Sequence, residues 1–129
     1  MRVLNKIVRF TKNGIKFEFD QRCAEIAICE MDLCEANPVL TPYDNKIKKD
    51  NGEGEDYCDA KTSALYRSVA ARLNYLSPDR ADIQYVVKEV CRTMASPRLV
   101  DLTKLKRIVR YLIGRPRMIT HCDYQTGND

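Results

Sequence analysis

Apolar and polar residues alternate near the start of the chain in a pattern that predicts a β-hairpin. Residues 3–19 contain two runs with apolar side chains at every second position, namely Val8 and Phe10, then Ile15, Phe17 and Phe19. A period of two places alternate side chains on opposite faces of a strand. Asn13-Gly14 lies between the runs and is a strong turn signal, because both residues tolerate positive φ. We therefore predict a hairpin with one apolar and one polar face.

Helical spacing replaces this alternation after Asp20, which is placed as an N-cap for a helix over residues 21–33. Three further segments show apolar residues three and four apart. The first opens near residues 59–62 and ends before Ser77-Pro78, with an inward stripe of Leu65, Val69, Arg72, Leu73 and Leu76. The second covers residues 79–95, with Ile83, Val86, Val87, Val90, Cys91 and Met94 inward. The third begins at Asp101 or Thr103, buries Leu102, Leu105, Val109, Leu112 and Ile113, and ends with Gly114 as its C-terminal cap.

These elements predict an α+β fold in which an N-terminal hairpin and one helix precede a mainly helical C-terminal half. Residues 1–42 form the first part, and residues 43–58 form a flexible acidic linker, because they contain almost no apolar side chains. Residues 59–117 form the helical part. Residues 118–129 form a polar tail that we expect to be irregular. A chain of 129 residues is long enough for one core.

Composition excludes several classes of protein. No apolar run is long enough to cross a bilayer, and Met1 does not lead into a signal segment, so we expect an intracellular, cytoplasmic or nuclear protein without a membrane partner. The six cysteines include no Cys-x-x-Cys pair and the one histidine is His121, which argues against a zinc site. Cys23 and Cys29 are expected to pack in a helix as small apolar groups, and reduced thiols are expected.

Nothing in the sequence assembles into a catalytic set. Asp123 and Asp129 near His121 are better explained as solvated loop residues than as a metal site. Asp79 and Asp82 flank Arg80 at a helix start, where acids favour the positive end of the dipole. No glycine-rich phosphate loop occurs, because the Gly-containing linker is acidic. We predict no catalytic residue, metal or cofactor for this chain.

Positive charge is concentrated in the last predicted helix and in the hairpin. Residues 98–117 contain seven basic residues and one acid, whereas residues 44–59 contain three lysines and six acids. Cations spaced along a helix or a ribbon can contact phosphates without reading bases, although a solvated basic face or edge protection would give the same pattern. The candidate nucleic-acid-binding residues are Lys6, Arg9, Lys12, Lys16, Lys104, Lys106, Arg107 and Arg110.

The order of short motifs in the second half resembles the Pol polyproteins of copia-type retrotransposons. The motifs are Tyr66-Arg67-Ser68, Asn74-Tyr75-Leu76, Arg80-Ala81-Asp82-Ile83, Met94-Ala95-Ser96-Pro97 and the basic run 106–114 that ends in Arg110-Tyr111-Leu112-Ile113-Gly114. The hairpin, the helix after it and residues 39–42 are similar to the passage from the primer grip into the thumb of a reverse transcriptase. The resemblance implies that residues 1–42 are primer-grip-like with a thumb-entry helix, and that residues 59–117 lead through the thumb towards an RNase H connection.

The resemblance also implies what lies outside this sequence. The paired polymerase aspartates of the family belong before the hairpin, and the RNase H carboxylates belong after the basic helix, so magnesium is expected only for the full parent enzyme. Asp123 lacks the surroundings of such a carboxylate. We expect a truncated or remnant Pol segment, inactive alone, that holds an RNA or DNA primer–template by its backbone beside the rest of the polyprotein. A stand-alone nucleic-acid-binding module and a non-functional pseudogene product are the alternatives.

Overall fold

The computed structural model describes residues 1–3, 6–19, 21–44 and 56–125. The elements in chain order are strands β1 (Arg2–Val3), β2 (Lys6–Phe10) and β3 (Gly14–Phe19), helices α1 (Arg22–Glu30), α2 (Ala60–Leu76), α3 (Gln84–Cys91) and α4 (Leu99–Gly114), and strand β4 (Thr120–Asp123). A short 3₁₀ turn, Ser77–Asp79, follows α2. The predicted α+β class, with a hairpin before the helices, is confirmed. Most of the linker predicted at 43–58 lies outside the described residues.

The strands form one antiparallel sheet in the order β1-β2-β3-β4. Val8 lies opposite Phe17 and Phe10 opposite Ile15, which confirms the predicted hairpin and its apolar face. The turn is closed by Thr11, whose backbone N–H donates to the Gly14 carbonyl at 2.8 Å and whose hydroxyl accepts from the Gly14 N–H at 3.1 Å. The sequence predicted this turn because asparagine and glycine tolerate positive φ. Neither Asn13 nor Gly14 has a left-handed backbone conformation in the structure.

Gly14 is required by the fourth strand instead. Residues 120–123 lie in the segment expected to be irregular, yet they pair with β3, with Gly14 opposite Asp123 and Phe17 opposite Thr120. A Cβ atom on Gly14 would overlap the carbonyl oxygen of Cys122. The absence of a side chain therefore lets β4 approach the start of β3.

Helix α1 begins at Arg22 after Gln21, and the predicted N-cap Asp20 lies outside the described residues. It ends at Glu30 rather than at residue 33. Asp32 has a φ of 56°, and the N–H groups of Asp32 and Leu33 donate to the carbonyls of Cys29 and Ile28 at 3.1 Å. This pattern is a Schellman motif, which satisfies the last helical carbonyls and turns the chain away.

The ends of the other helices follow from their caps. Asp59 accepts a 2.7 Å hydrogen bond from the Thr62 N–H, which fixes the start of α2 where it was predicted. Helix α4 starts at Leu99, before both of the predicted starts at Asp101 and Thr103, because the Asp101 carboxylate accepts from the Arg98 N–H at 3.1 Å. Gly114 is the last helical residue, and a Cβ there would lie 3.0 Å from the Cβ of Pro38. Gly114 therefore permits α4 to pack closely against Pro38, and it is not the C-terminal cap that the sequence predicted.

The core lies between the four helices and receives Phe19 from the sheet. Tyr66, which was outside the predicted stripe, is 0% exposed, whereas Arg72 is half-buried and pairs with Glu30 of α1 at 3.1 Å. Cys23 packs against the core as predicted, but Cys29 is exposed. Helix α3 covers Gln84–Cys91 and is shorter than the predicted range 79–95. Residues 80–83 form a turn before it, in which the side chain of Arg80 is buried. Within the described part of the chain, no helix is long and apolar enough to span a membrane.

Candidate nucleic-acid interface

The register of the sheet places the four candidate cations of the hairpin in different surroundings. Arg9 lies directly opposite Lys16 on the polar face, and both side chains are exposed. Lys12 is exposed in the turn. Lys6 lies on the apolar face, where its ammonium group forms a 3.0 Å ion pair with Asp79 and lies 5.9 Å from the centre of the Phe17 ring. The structure thus brings Arg9 and Lys16 together and gives Lys6 an internal partner.

Strand β4 extends the polar face by one more basic side chain. Lys16 has Arg9 as its partner in β2 and His121 as its partner in β4, so the three residues form a row across adjacent strands. Neighbouring strands lie roughly 4.8 Å apart, a spacing over which side chains on one face can reach a common ligand. His121 contacts the Asp123 carboxylate at 2.6 Å. Sequence reasoning missed His121 here because nothing in its segment signalled a strand.

The acid on the same face of β3 as Lys16 has its own partner. Glu18 is buried on β3 and accepts two hydrogen bonds from the Arg117 guanidinium, at 2.7 and 2.8 Å. The hydrogen bond from Arg117 lowers the pKa of Glu18, and this effect outweighs its burial. The carboxylate is therefore ionised at neutral pH and is held by Arg117, and the charge of Arg9 also helps to lower its pKa. Neither Arg9 nor Lys16 forms an ion pair among the described residues.

Two of the four candidate cations on α4 bind the chain itself. The Arg107 guanidinium donates to the carbonyl and hydroxyl oxygens of Thr41, at 3.1 and 2.9 Å, and lies 3.8 Å from the Asp44 carboxylate. Arg110 donates to the Asn37 carbonyl at 2.9 Å. These arginines tether the extended segment 37–44 to α4. Their first role is therefore structural.

The two candidate lysines of α4 have weaker contacts within the chain than the two arginines. The Lys104 ammonium lies 3.9 Å from Asp101, one turn earlier in the same helix, at the outer limit of an ion pair. Lys106 is exposed and forms no ion pair within the part of the chain that the structure describes. Lys106 is therefore the α4 cation most available to an external phosphate.

The short motifs that carry the family resemblance make contacts between helices. The Tyr66 hydroxyl lies 2.6 Å from the Val90 carbonyl, to which it donates, and 3.0 Å from the Thr93 hydroxyl. Arg67 donates to the carbonyls of Met94 and Ala95 at 2.9 and 3.2 Å. Burial raises the pKa of Tyr66 to about 12. These residues fasten α2 to the end of α3.

A second cluster joins the turn before α3 to the end of α4. The Arg80 guanidinium is almost fully buried and donates to both carboxylate oxygens of Asp82, at 3.0 and 2.8 Å, and to the Arg115 carbonyl at 2.8 Å. The Tyr111 hydroxyl donates to the same carboxylate at 2.7 Å. Burial alone would raise the pKa of Asp82, but the hydrogen bonds from Arg80 and Tyr111 outweigh it and hold that pKa below its usual value.

The chemistry open to the polar face is electrostatic binding of anions. Among the described residues, no group of three or more histidine, cysteine or acidic side chains is placed to hold a metal ion. Asp123 lies beside His121, and Asp129 lies outside the described residues. Arg9 and Lys16 can neutralise phosphate groups without contacting bases.

No family model matches the sequence, and no solved structure matches it. Three curated plant proteins from Arabidopsis thaliana are similar to it. An uncharacterized mitochondrial protein is 33% identical over 91 residues, which is 70% of this chain and 36% of that protein. The retrovirus-related Pol polyproteins from transposons RE1 and RE2 are 34% and 30% identical over 89 residues, which is 69% of this chain and 6% of each polyprotein. The chain thus spans just over a third of the first relative and a small part of the other two.

Proposed function

Because this chain is a relative of copia-type retrotransposon Pol polyproteins, we propose that it is a segment of a reverse transcriptase that holds the sugar-phosphate backbone of a primer–template. The contact surface is the polar face of the sheet, with Arg9 and Lys16 at its centre. Lys12 in the turn and Lys106 on α4 add positive charge. Lys6, Arg107 and Arg110 serve mainly to hold the fold, and Lys104 lies at the outer limit of an ion pair with Asp101.

The observation that supports this function best is the opposition of Arg9 and Lys16. Two like charges directly across an antiparallel pair destabilise a sheet. Both residues are exposed, and neither forms an ion pair among the described residues. An anion that bridges the two side chains would relieve this repulsion. The backbone of a nucleic acid supplies phosphates at a regular spacing, and such contacts do not depend on sequence.

In this proposal the chain binds the primer–template and does not polymerise nucleotides. Phosphoryl transfer by two metal ions needs carboxylates that bind both ions. Three carboxylates of the described chain, those of Asp82, Glu18 and Asp79, are used in ion pairs with Arg80, Arg117 and Lys6. Magnesium belongs to the full parent enzyme in this proposal. Nucleotide incorporation by the purified chain above a buffer control would contradict it.

Binding to a short RNA–DNA hybrid at several salt concentrations tests the surface. Each phosphate contact contributes roughly 0.9 to the slope of log affinity against log salt on B-form DNA. The double variant Arg9→Gln/Lys16→Gln should reduce the slope by roughly 2. The control Lys61→Gln/Lys88→Gln removes the same charge from exposed positions on α2 and α3, and it should leave the slope close to the wild-type value. An equal loss in both variants would show that only net charge matters.

A stand-alone binding module is the second candidate, and the continuous buried core favours it. Tyr66, Leu73 and Leu105 are each 0% exposed within that core, so the helices bury these side chains against one another. Because the leading proposal also predicts hybrid binding by the isolated chain, a sharp, cooperative thermal transition of that chain is the result that would favour this module. A pseudogene product would instead show a broad, non-cooperative thermal transition.

A further inference from the structure

Two cysteines meet at the end of α1. The Sγ atoms of Cys29 and Cys34 lie 3.5 Å apart, and both residues are exposed. Cys29 lies in the last turn of the helix and Cys34 lies just beyond the Schellman motif. The positive φ of Asp32 reverses the chain between them and returns Cys34 to the helix. The contact is therefore fixed by hydrogen-bonded backbone.

We propose that Cys29 and Cys34 are a thiol oxidation site that closes into a reversible intramolecular disulfide. A disulfide bond is about 2.05 Å long, so the sulfur atoms must approach by roughly a further 1.5 Å. The two side chains are already in contact and both are exposed, so this approach displaces no buried residue.

The neighbouring thiol also influences the ionisation of Cys29. The hydrogen bond between the two thiols, together with the charge that Cys34 would carry, raises the pKa of Cys29. Exchange at this thiol should therefore become faster as pH rises. A thiolate is the attacking species and a nearby thiol resolves the mixed disulfide.

Glutathione disulfide is the oxidant class that we assign to this reaction. The thiolate attacks one sulfur of glutathione disulfide, which forms a mixed disulfide and releases one glutathione thiolate. The second cysteine then loses its proton and attacks the protein sulfur of the mixed disulfide, which releases the second glutathione. Two protein thiols are oxidised by two electrons, and one glutathione disulfide is reduced to two glutathione molecules.

Closure of the ring would restrain the part of α1 that holds α2. Glu30 lies inside the ring and accepts hydrogen bonds from Ser68 at 3.2 Å and from Arg72 at 3.1 Å. A cross-link between residues 29 and 34 limits the unfolded chain and keeps this turn in its native form. Oxidation should therefore raise the melting temperature, and reduction with dithiothreitol should reverse the rise.

Equilibration of the full chain in glutathione buffers of rising disulfide content, followed by mass spectrometry and peptide mapping, tests the site. We expect wild type to lose two free thiols and two hydrogens, with residues 29 and 34 in one linked peptide. Cys29→Ser and Cys34→Ser should instead retain one glutathione on the remaining cysteine. Cys122→Ser, which changes an exposed cysteine on β4, should form the link as wild type does.

Three results would overturn the proposal. They are glutathione adducts on wild-type Cys29 or Cys34 without a link, a link between other cysteines, and unreacted Cys29 and Cys34 under conditions that modify Cys122. The wild-type map does not depend on the folding of any variant. Circular dichroism of the three serine variants, all at exposed positions, checks that they fold.

Discussion

The phenol of Tyr111 donates a 2.7 Å hydrogen bond to the carboxylate of Asp82, 29 residues earlier in the chain. The same carboxylate is held by the buried guanidinium of Arg80. The end of α4 and the turn before α3 therefore share one charged centre. Since the Asp82 carboxylate accepts from both Arg80 and Tyr111, loss of this carboxylate should affect the packing of α4 and of the turn together.

Asp82→Asn should lower the free energy of unfolding by about 3 kcal/mol, because it leaves the buried Arg80 without its counter-charge. The lowered pKa of Asp82 sets the pH dependence. Its contribution is present above the unfolded pKa and is lost as pH falls through the lowered folded pKa. Urea unfolding of wild type and Asp82→Asn from pH 7 to pH 3 should show the difference shrinking towards low pH. Glu89→Gln, which breaks the exposed pair with Arg92, should cost under about 1 kcal/mol.

Tyr66→Phe should make the protein less sensitive to alkali. The pKa of Tyr66 is raised from 10.0 to about 12, so the folded state favours the protonated phenol. Its contribution is complete below the unfolded pKa and is lost as pH rises from about 10 to about 12, by about 2–3 kcal/mol. Unfolding measured at pH 8 and pH 11 gives the slope, which should be smaller in Tyr66→Phe. At pH 8 the variant should lose about 1 kcal/mol for the missing hydrogen bond. Tyr85→Phe, at a position 58% exposed, should keep the wild-type slope.

Gly14→Ala should detach β4 from the sheet. The new methyl group would overlap the Cys122 carbonyl, which belongs to the backbone and cannot turn aside. We expect a loss of about 3 kcal/mol and faster amide exchange in residues 120–124. Gly114→Ala is the matched control, because its methyl group meets only the Pro38 side chain at 3.0 Å and alanine favours the helix by about 1 kcal/mol. Equal effects in the two variants would show that β4 is not what requires Gly14.

Arg107→Met/Arg110→Met should release the segment 37–44 from α4. Hydrogen exchange of the amides of Val39, Leu40, Thr41 and Tyr43 should become faster, since the hydrogen bonds to Thr41 and Asn37 are gone. Lys106→Met changes an exposed neighbour and should leave this exchange unchanged. For hybrid binding we expect the reverse order, with Lys106→Met reducing the salt slope by roughly 0.9. A larger loss of slope from the double arginine variant would place the phosphate contact on the tethering residues.

The elements with a repeated pattern were predictable from sequence. The hairpin has a period of two, and α2 has an N-cap acid and apolar residues at helical spacing, so local rules were sufficient for both. Strand β4 was not predictable, because Thr-His-Cys-Asp carries no apolar alternation. Its pairing depends on the open edge of β3, which a local window cannot include.

The candidate site was predictable in composition but not in geometry. The sequence identifies Arg107 and Arg110 as cations on the outward side of α4, yet it does not contain the position of residues 37–44, which accept their hydrogen bonds. The row of Arg9, Lys16 and His121 likewise requires the register of three strands. Charges could be counted from the sequence, whereas their partners depend on tertiary structure.

The position of β4 at the edge of β3 has a consequence for synthesis of the chain. Glu18 and Arg117, which meet beside this edge, are separated by 99 residues. On the ribosome the hairpin and all four helices emerge before β4, so the open edge of β3 is exposed throughout their translation. An exposed strand edge can pair with another chain and promote aggregation. Contacts between residues that are distant in sequence also form slowly. Nascent chains stalled before residue 120 should therefore be the species most dependent on chaperones.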